Sequence, residues 1–117
     1  HLPFARYFHK NLFLGKSASD ELVNLFQSTL DSLPMSLINS RLRTMHSLVS
    51  RQQKSNIPAA YIQASRDKLV PANKVSEFQL CFRNLNIKVV DGPHFILQAN
   101  PKECAQAINE LVFALER

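Results

Sequence analysis

Two short stretches hold the residue types that could do chemistry together. The first is Ser65-Arg66-Asp67-Lys68-Leu69-Val70-Pro71, the second Asp91-Gly92-Pro93-His94-Phe95. A carboxylate that accepts a hydrogen bond from a histidine's Nδ1 fixes the ring tautomer and stabilises the imidazolium formed when Nε2 takes a proton. Nε2 can then act as a general base toward a serine hydroxyl or a water. Asp67 supplies such an acid and His94 such a base. Read alone, Asp67 closes an Asx-turn and His94 is a turn residue. The functional reading comes from their placement relative to the elements before them.

Those elements have a parallel α/β signature. Ile57-Pro58-Ala59-Ala60-Tyr61-Ile62-Gln63-Ala64 is a short, nearly continuous apolar run, as in a parallel strand covered on both faces. Pro71 opens a helix with Val75, Phe78, Phe82 and Leu85 on one stripe. Ile87-Lys88-Val89-Val90 is a second strand, β-branched at three of its four positions. Asn100, Pro101 and Glu103 supply an N-cap, a first-turn proline and a capping-box acid. They start a last helix with Cys104, Ile108, Leu111, Val112 and Leu115 on one side. Strand, helix, strand, helix predicts that both strands end on one sheet edge, where open α/β sheets place ligands. Asp67 then lies three residues past Ala64, and His94 four past Val90. On strands about 4.8 Å apart, the two side chains come within hydrogen-bonding reach. Gly92-Pro93 provides a tight turn to lift the histidine over that edge.

The first half has a helical period. Residues 1–16 are rich in aromatics (Phe4, Tyr7, Phe8, Phe13), with core as their default role. Ser19, Asp20 and Glu21 form an N-terminal signal for a helix bearing Leu22, Leu25, Phe26, Leu30 and Leu33. Pro34 suits the first turn of a second helix with a stripe of Ile38, Leu42, Met45 and Val49. Residues 1–50 read as a helical segment, 51–56 as a linker after a break at Ser50, and 57–117 as the βαβα part.

The Asp67-Lys68-Leu69-Val70-Pro71, Gly92-Pro93-His94-Phe95 and Asn100-Pro101 motifs, following Ile57-Pro58, resemble the C-terminal portion of the α/β-hydrolase family. They are closest in style to its small carboxylesterases, such as those cleaving pimeloyl-carrier-protein methyl esters. The resemblance implies an acid role for Asp67, a base role for His94 and a cap-like role for residues 1–50. It covers 57–117 well, 17–50 loosely and 1–16 by position alone. It also implies a nucleophile in a G-x-S-x-G elbow. The chain departs from the family there, because its two glycines, Gly15 and Gly92, give no serine that context, and the oxyanion-hole loop is absent as well.

The expectation is therefore the C-terminal fragment of a serine hydrolase of carboxylic esters or thioesters. It would be inactive alone and need its missing N-terminal part, or associate with itself through the sheet edge. An Asp-nucleophile relative of the dehalogenase or epoxide-hydrolase kind is the first alternative, and a non-catalytic interaction domain the second.

Composition narrows the remaining classes. With 45% hydrophobic and 20% charged residues, the 117-residue chain resembles a globular protein rather than a disordered one. It has no apolar run long enough to span a bilayer. The opening residues form no signal peptide and contain no Met, so the chain reads as cut from something longer or stripped of a leader. The net charge of +5 is dispersed. Its densest stretch, Arg41, Arg43, Arg51 and Lys54, lacks interleaved aromatics, which argues against nucleic acid. Cys81 and Cys104 have neither metal nor redox spacing and read as buried free thiols, favouring a reducing, cytoplasmic setting. His1, His9 and His46 show no ligand spacing, and no cofactor or metal is implied. Gly15-Lys16-Ser17 imitates the tail of a phosphate-binding loop without its upstream glycine and strand.

Overall fold

The computed structural model describes residues 3–48 and 54–115, with backbone only at residues 3 and 4. His1, Val49, Arg51, the Phe4 side chain and residues 50–53 of the expected break lie outside the described residues. The chain is mixed α/β. Helix α1 (Pro3–His9) runs into a π-helical turn (Lys10–Leu14), followed by α2 (Asp20–Ser32) and α3 (Met35–His46). Strand β1 (Ala59–Ala64) leads through a 3-10 turn (Ala72–Lys74) to α4 (Val75–Cys81) and β2 (Leu85–Val90). The short α5 (Ile96–Ala99) and the longer α6 (Pro101–Leu115) close the described part.

The two strands pair in parallel, Ala59 opposite Leu85 through Ala64 opposite Val90. The paired C-terminal residues Ala64 and Val90 face α6. Ala64, Val90, Ile96, Cys104 and Ala107 form the core, with Ile62 packed against it. The buried stripe of α6 is Cys104, Ala107 and Leu111, while Ile108 and Val112 are exposed. The small Ala107 side chain lets the helix approach the sheet closely, and this turns the stripe away from its expected Ile108–Val112 centre. The opposite sheet face is only partly covered. Tyr61 stacks on Phe78 of α4 with ring centroids 4.7 Å apart, yet Val89 is 59% exposed.

Several boundaries moved from their expected places for identifiable reasons. The strand starts at Ala59 rather than Ile57, because Pro58 has no N–H to give a ladder; Ile57 stays exposed, its N–H donating to Ser55 Oγ. Ser55, expected in the linker, bridges to Phe82. Its N–H donates to Cys81 O, and Arg83 N–H donates back to its carbonyl. Helix α4 ends at Cys81, Phe82 is extended, and β2 begins two residues earlier than Ile87. Phe82 and Leu85 fit the helical stripe, but pairing with the neighbouring strand claims Leu85 and Asn86. Pro34 adopts an extended N-cap conformation and α3 starts after it. Ser19 caps α2 through its Oγ, which accepts from Leu22 N–H at 3.2 Å.

Much apolar surface of the described residues is exposed. On α3, Met35, Leu42 and Met45 are more than half exposed while Ile38 is half-buried, so most of the described part of the expected stripe stays open. The accessible surface is 9121 Å², against about 6,500 Å² for a compact monomer of this mass. The radius of gyration is 16.4 Å, against about 13 Å expected for the length. Large contiguous apolar patches favour association. In sedimentation at micromolar concentration the chain is expected to self-associate and to bind a hydrophobic dye. A monodisperse monomer of 13.3 kDa that binds none would contradict that expectation.

Candidate functional site

Beyond the paired Ala64 and Val90, the two strands leave the sheet at the same edge and their loops are laced together. Ser65 N–H donates to Val90 O at 2.9 Å, and Arg66 N–H to Gly92 O at 2.9 Å, extending the ladder into the loops. Asp91 gathers the rest. Ser65 Oγ–H donates to one of its carboxylate oxygens at 2.6 Å and the Arg66 guanidinium to the other at 3.0 Å. Its carbonyl accepts from Asn100 Nδ2 at 3.0 Å, so that side chain reaches back to the loop. Arg66 is thus an ion-pair partner that stays exposed. The pair is well exposed, and its value is geometric rather than energetic.

This lacing brings Asp67 and His94 together. Asp67 Oδ2 lies 2.9 Å from His94 Nδ1. Its other oxygen, Oδ1, accepts from Leu69 N–H at 2.8 Å and Val70 N–H at 2.9 Å. The carboxylate therefore closes an Asx-turn with one oxygen and orients the imidazole with the other. The Asp67 side chain is only 10% exposed, that of His94 29%. A carboxylate can only accept, so Nδ1 carries the proton and Nε2 is left as the basic nitrogen. Among the described residues no hydroxyl is hydrogen-bonded to His94.

Burial raises the Asp67 pKa, but the Val70 N–H, His94 and the Leu69 N–H outweigh it and hold the carboxyl below its ordinary value. Nearby, Tyr61 is shifted up, first by burial and then by the Asp67 charge.

The opening segment, placed by the sequence only as aromatic-rich, turns out to seat the histidine. Phe13 O accepts from Phe95 N–H at 3.0 Å. The Phe13 ring meets the imidazole edge-on, centroids 6.2 Å apart, and the Phe95 ring meets it at 5.3 Å. Phe26 of α2 packs against both, tilted to Phe13 and edge-on to Phe95. Gly15, at φ 82°, presses on Pro93, whose Cγ would stand 3.3 Å from a Cβ there. At Gly92 a Cβ would overlap Ile96 Cδ1, so the turn before His94 is closed to larger residues. The π-helical turn, a feature frequent at functional sites, places Phe13 and Gly15 against this loop. Nothing in residue spacing announced it; the run of aromatics ending in Leu14-Gly15 was the available signal.

Among the described residues no three His, Cys, Asp or Glu side chains gather as metal ligands, and Cys81 and Cys104 are free thiols. Comparison with protein-family models, curated proteins and solved structures finds no match to this chain.

The lowered Asp67 pKa has a definite pH signature. A depressed folded-state value stabilises above the unfolded pKa of about 3.9, and that contribution is lost as pH falls through the folded value. Asn at position 67 keeps the Oδ1 acceptor for the turn but presents an amide to Nδ1. The stability gap between the wild type and Asp67→Asn, about 1–3 kcal/mol at neutral pH, should be level above about pH 5 and shrink below about pH 4. Imidazole ¹⁵N spectra should show the Nδ1–H tautomer in the wild type and Nε2–H in the variant. An unchanged tautomer would refute the assigned role of the carboxylate.

Proposed function

We propose that this chain supplies the acid and base of a serine hydrolase of the α/β-hydrolase kind, acting on carboxylic esters or thioesters. The single supporting observation is the hydrogen bond from His94 Nδ1 to a half-buried Asp67, on consecutive loops at one end of a parallel strand pair. That arrangement leaves Nε2 as a base beside an aromatic wall of low polarity. The order acid then histidine, each following a strand, accords with the chain order of that fold.

In the proposed reaction a serine hydroxyl supplied from outside this chain attacks the acyl carbon as Nε2 takes its proton. The imidazolium, held by the Asp67 carboxylate, then protonates the departing alcohol or thiol, leaving an acyl-enzyme. Water repeats the sequence: Nε2 takes its proton, the hydroxyl adds to the acyl carbon, and the carboxylic acid leaves as the serine recovers its hydrogen. The chain's own part is to hold and move one proton at Nε2. It offers no G-x-S-x-G serine of its own, so alone it should hydrolyse p-nitrophenyl esters no faster than free imidazole.

Joined to a nucleophile-bearing segment, His94→Ala should lower kcat/KM for short p-nitrophenyl esters by roughly a thousandfold or more, and Asp67→Asn by about 10²- to 10⁴-fold. Activity untouched by His94→Ala would overturn the proposal. Turnover of haloalkanes or epoxides in place of esters would point to an aspartate nucleophile on the same fold.

A further inference from the structure

A second feature lies on the outer side of the same two loops. Asp67 points inward to His94, while its neighbours Arg66 and Lys68 help line a cleft of about 410 Å³. The facing wall is the turn after the π-helical segment, where Lys16 and Ser17 join Asn11 from the turn itself. Pro93 forms its floor with Gly15. Three cations and no carboxylate line this space.

These cations differ in how committed they are. Arg66 is oriented by its bond to Asp91 and keeps other guanidinium N–H groups for a ligand. Among the described residues neither Lys16 nor Lys68 has a carboxylate within ion-pair distance. The other +5-related basic residues are scattered, so this gathering of charge from two distant parts of the sequence is produced by the fold. Ala18 N–H donates to Gly15 O at 3.2 Å, which fixes the turn that carries Lys16 and Ser17. Gly15 at φ 82° lets that turn lie against Pro93. A planar guanidinium, two flexible ammonium groups, a hydroxyl and an amide suit a small tetrahedral or planar oxyanion.

We infer that this cleft binds an oxyanion group, phosphate or carboxylate, through Lys16, Arg66 and Lys68. The inference stands on the cleft alone and holds whether or not the chain serves a hydrolase.

The test is calorimetric titration of the chain with inorganic phosphate at low ionic strength, with matched sodium chloride as the control and a phosphomonoester and a short dicarboxylate as further arms. Saturable one-to-one phosphate binding is expected. It should weaken by about tenfold or more in a Lys16→Gln/Lys68→Gln double variant, since charge-assisted contacts are lost, and should be unchanged in Lys54→Gln. Circular dichroism of these surface variants checks that the fold is kept. A phosphomonoester or dicarboxylate that binds more tightly than phosphate places the anion on a larger ligand, and equal binding identifies a free-ion site; both support the cleft. A response no different from sodium chloride, or binding that survives the double variant, overturns it. Because neither His94 nor Asp67 is altered, the outcome is separate from any esterase measurement.

Discussion

Parallel pairing of Ala64 with Val90 is the constraint on which the rest of the site depends. In parallel strands both chains leave the sheet at the same end, so one register fixes the relative height of two loops far apart in sequence. A slip of one residue would reverse the faces of a strand and carry Asp67 out of reach of His94. The register is pinned from both sides. Ala64, Val90 and Ile62 are committed to the cluster with Cys104 and Ala107 of α6, and the ladder continues past the strands through Ser65 and Arg66. The hydrogen bond at the imidazole is thus a consequence of backbone pairing, and side-chain lacing around Asp91 only removes residual play.

The second consequence concerns division of labour within one carboxylate. Asp67 serves its own turn with Oδ1 and the histidine with Oδ2. Structural and functional readings of an aspartate after a strand are usually opposed, but here each takes one oxygen. The turn bonds also orient the carboxylate toward the imidazole. Turning Asp67 inward leaves its neighbours Arg66 and Lys68 on the outer wall. One loop therefore presents an acid to one side and cations to the other.

Legibility in the sequence followed the range of the interactions involved. The βαβα order and the loop residues Asp67 and His94 could be read because strand runs, caps and turn residues are local signals. Ser19 marks its helix start for the same reason, whereas Pro71 opens only a 3-10 turn and α4 begins at Val75. Where a residue's fate rests on a distant partner, the pattern misled. Leu85 obeys a helical period yet is taken by β1, and Ile108 and Val112 obey theirs yet are displaced by the closer fit of Ala107. The seating of Phe13 and Gly15 against Pro93 and Phe95 is wholly non-local, and so is the approach of Lys16 to Lys68. No spacing rule reaches from residue 13 to residue 95.

The same contrast explains how a well-formed acid–base pair can sit in a chain with so much unpartnered apolar surface. The pair draws on a strand register, two turns and one aromatic wall, all supplied by the βαβα part and the segment latched onto it. Covering Val89 and the α3 stripe would need surfaces that these elements do not provide to one another. Eight buried apolar side chains form the interior of the described residues, a small core against the entropy of ordering so long a chain. Stability is therefore expected to depend on what meets the open faces. The geometry at His94 depends on what lies beneath it, and covering those faces would secure the pair without having to build it.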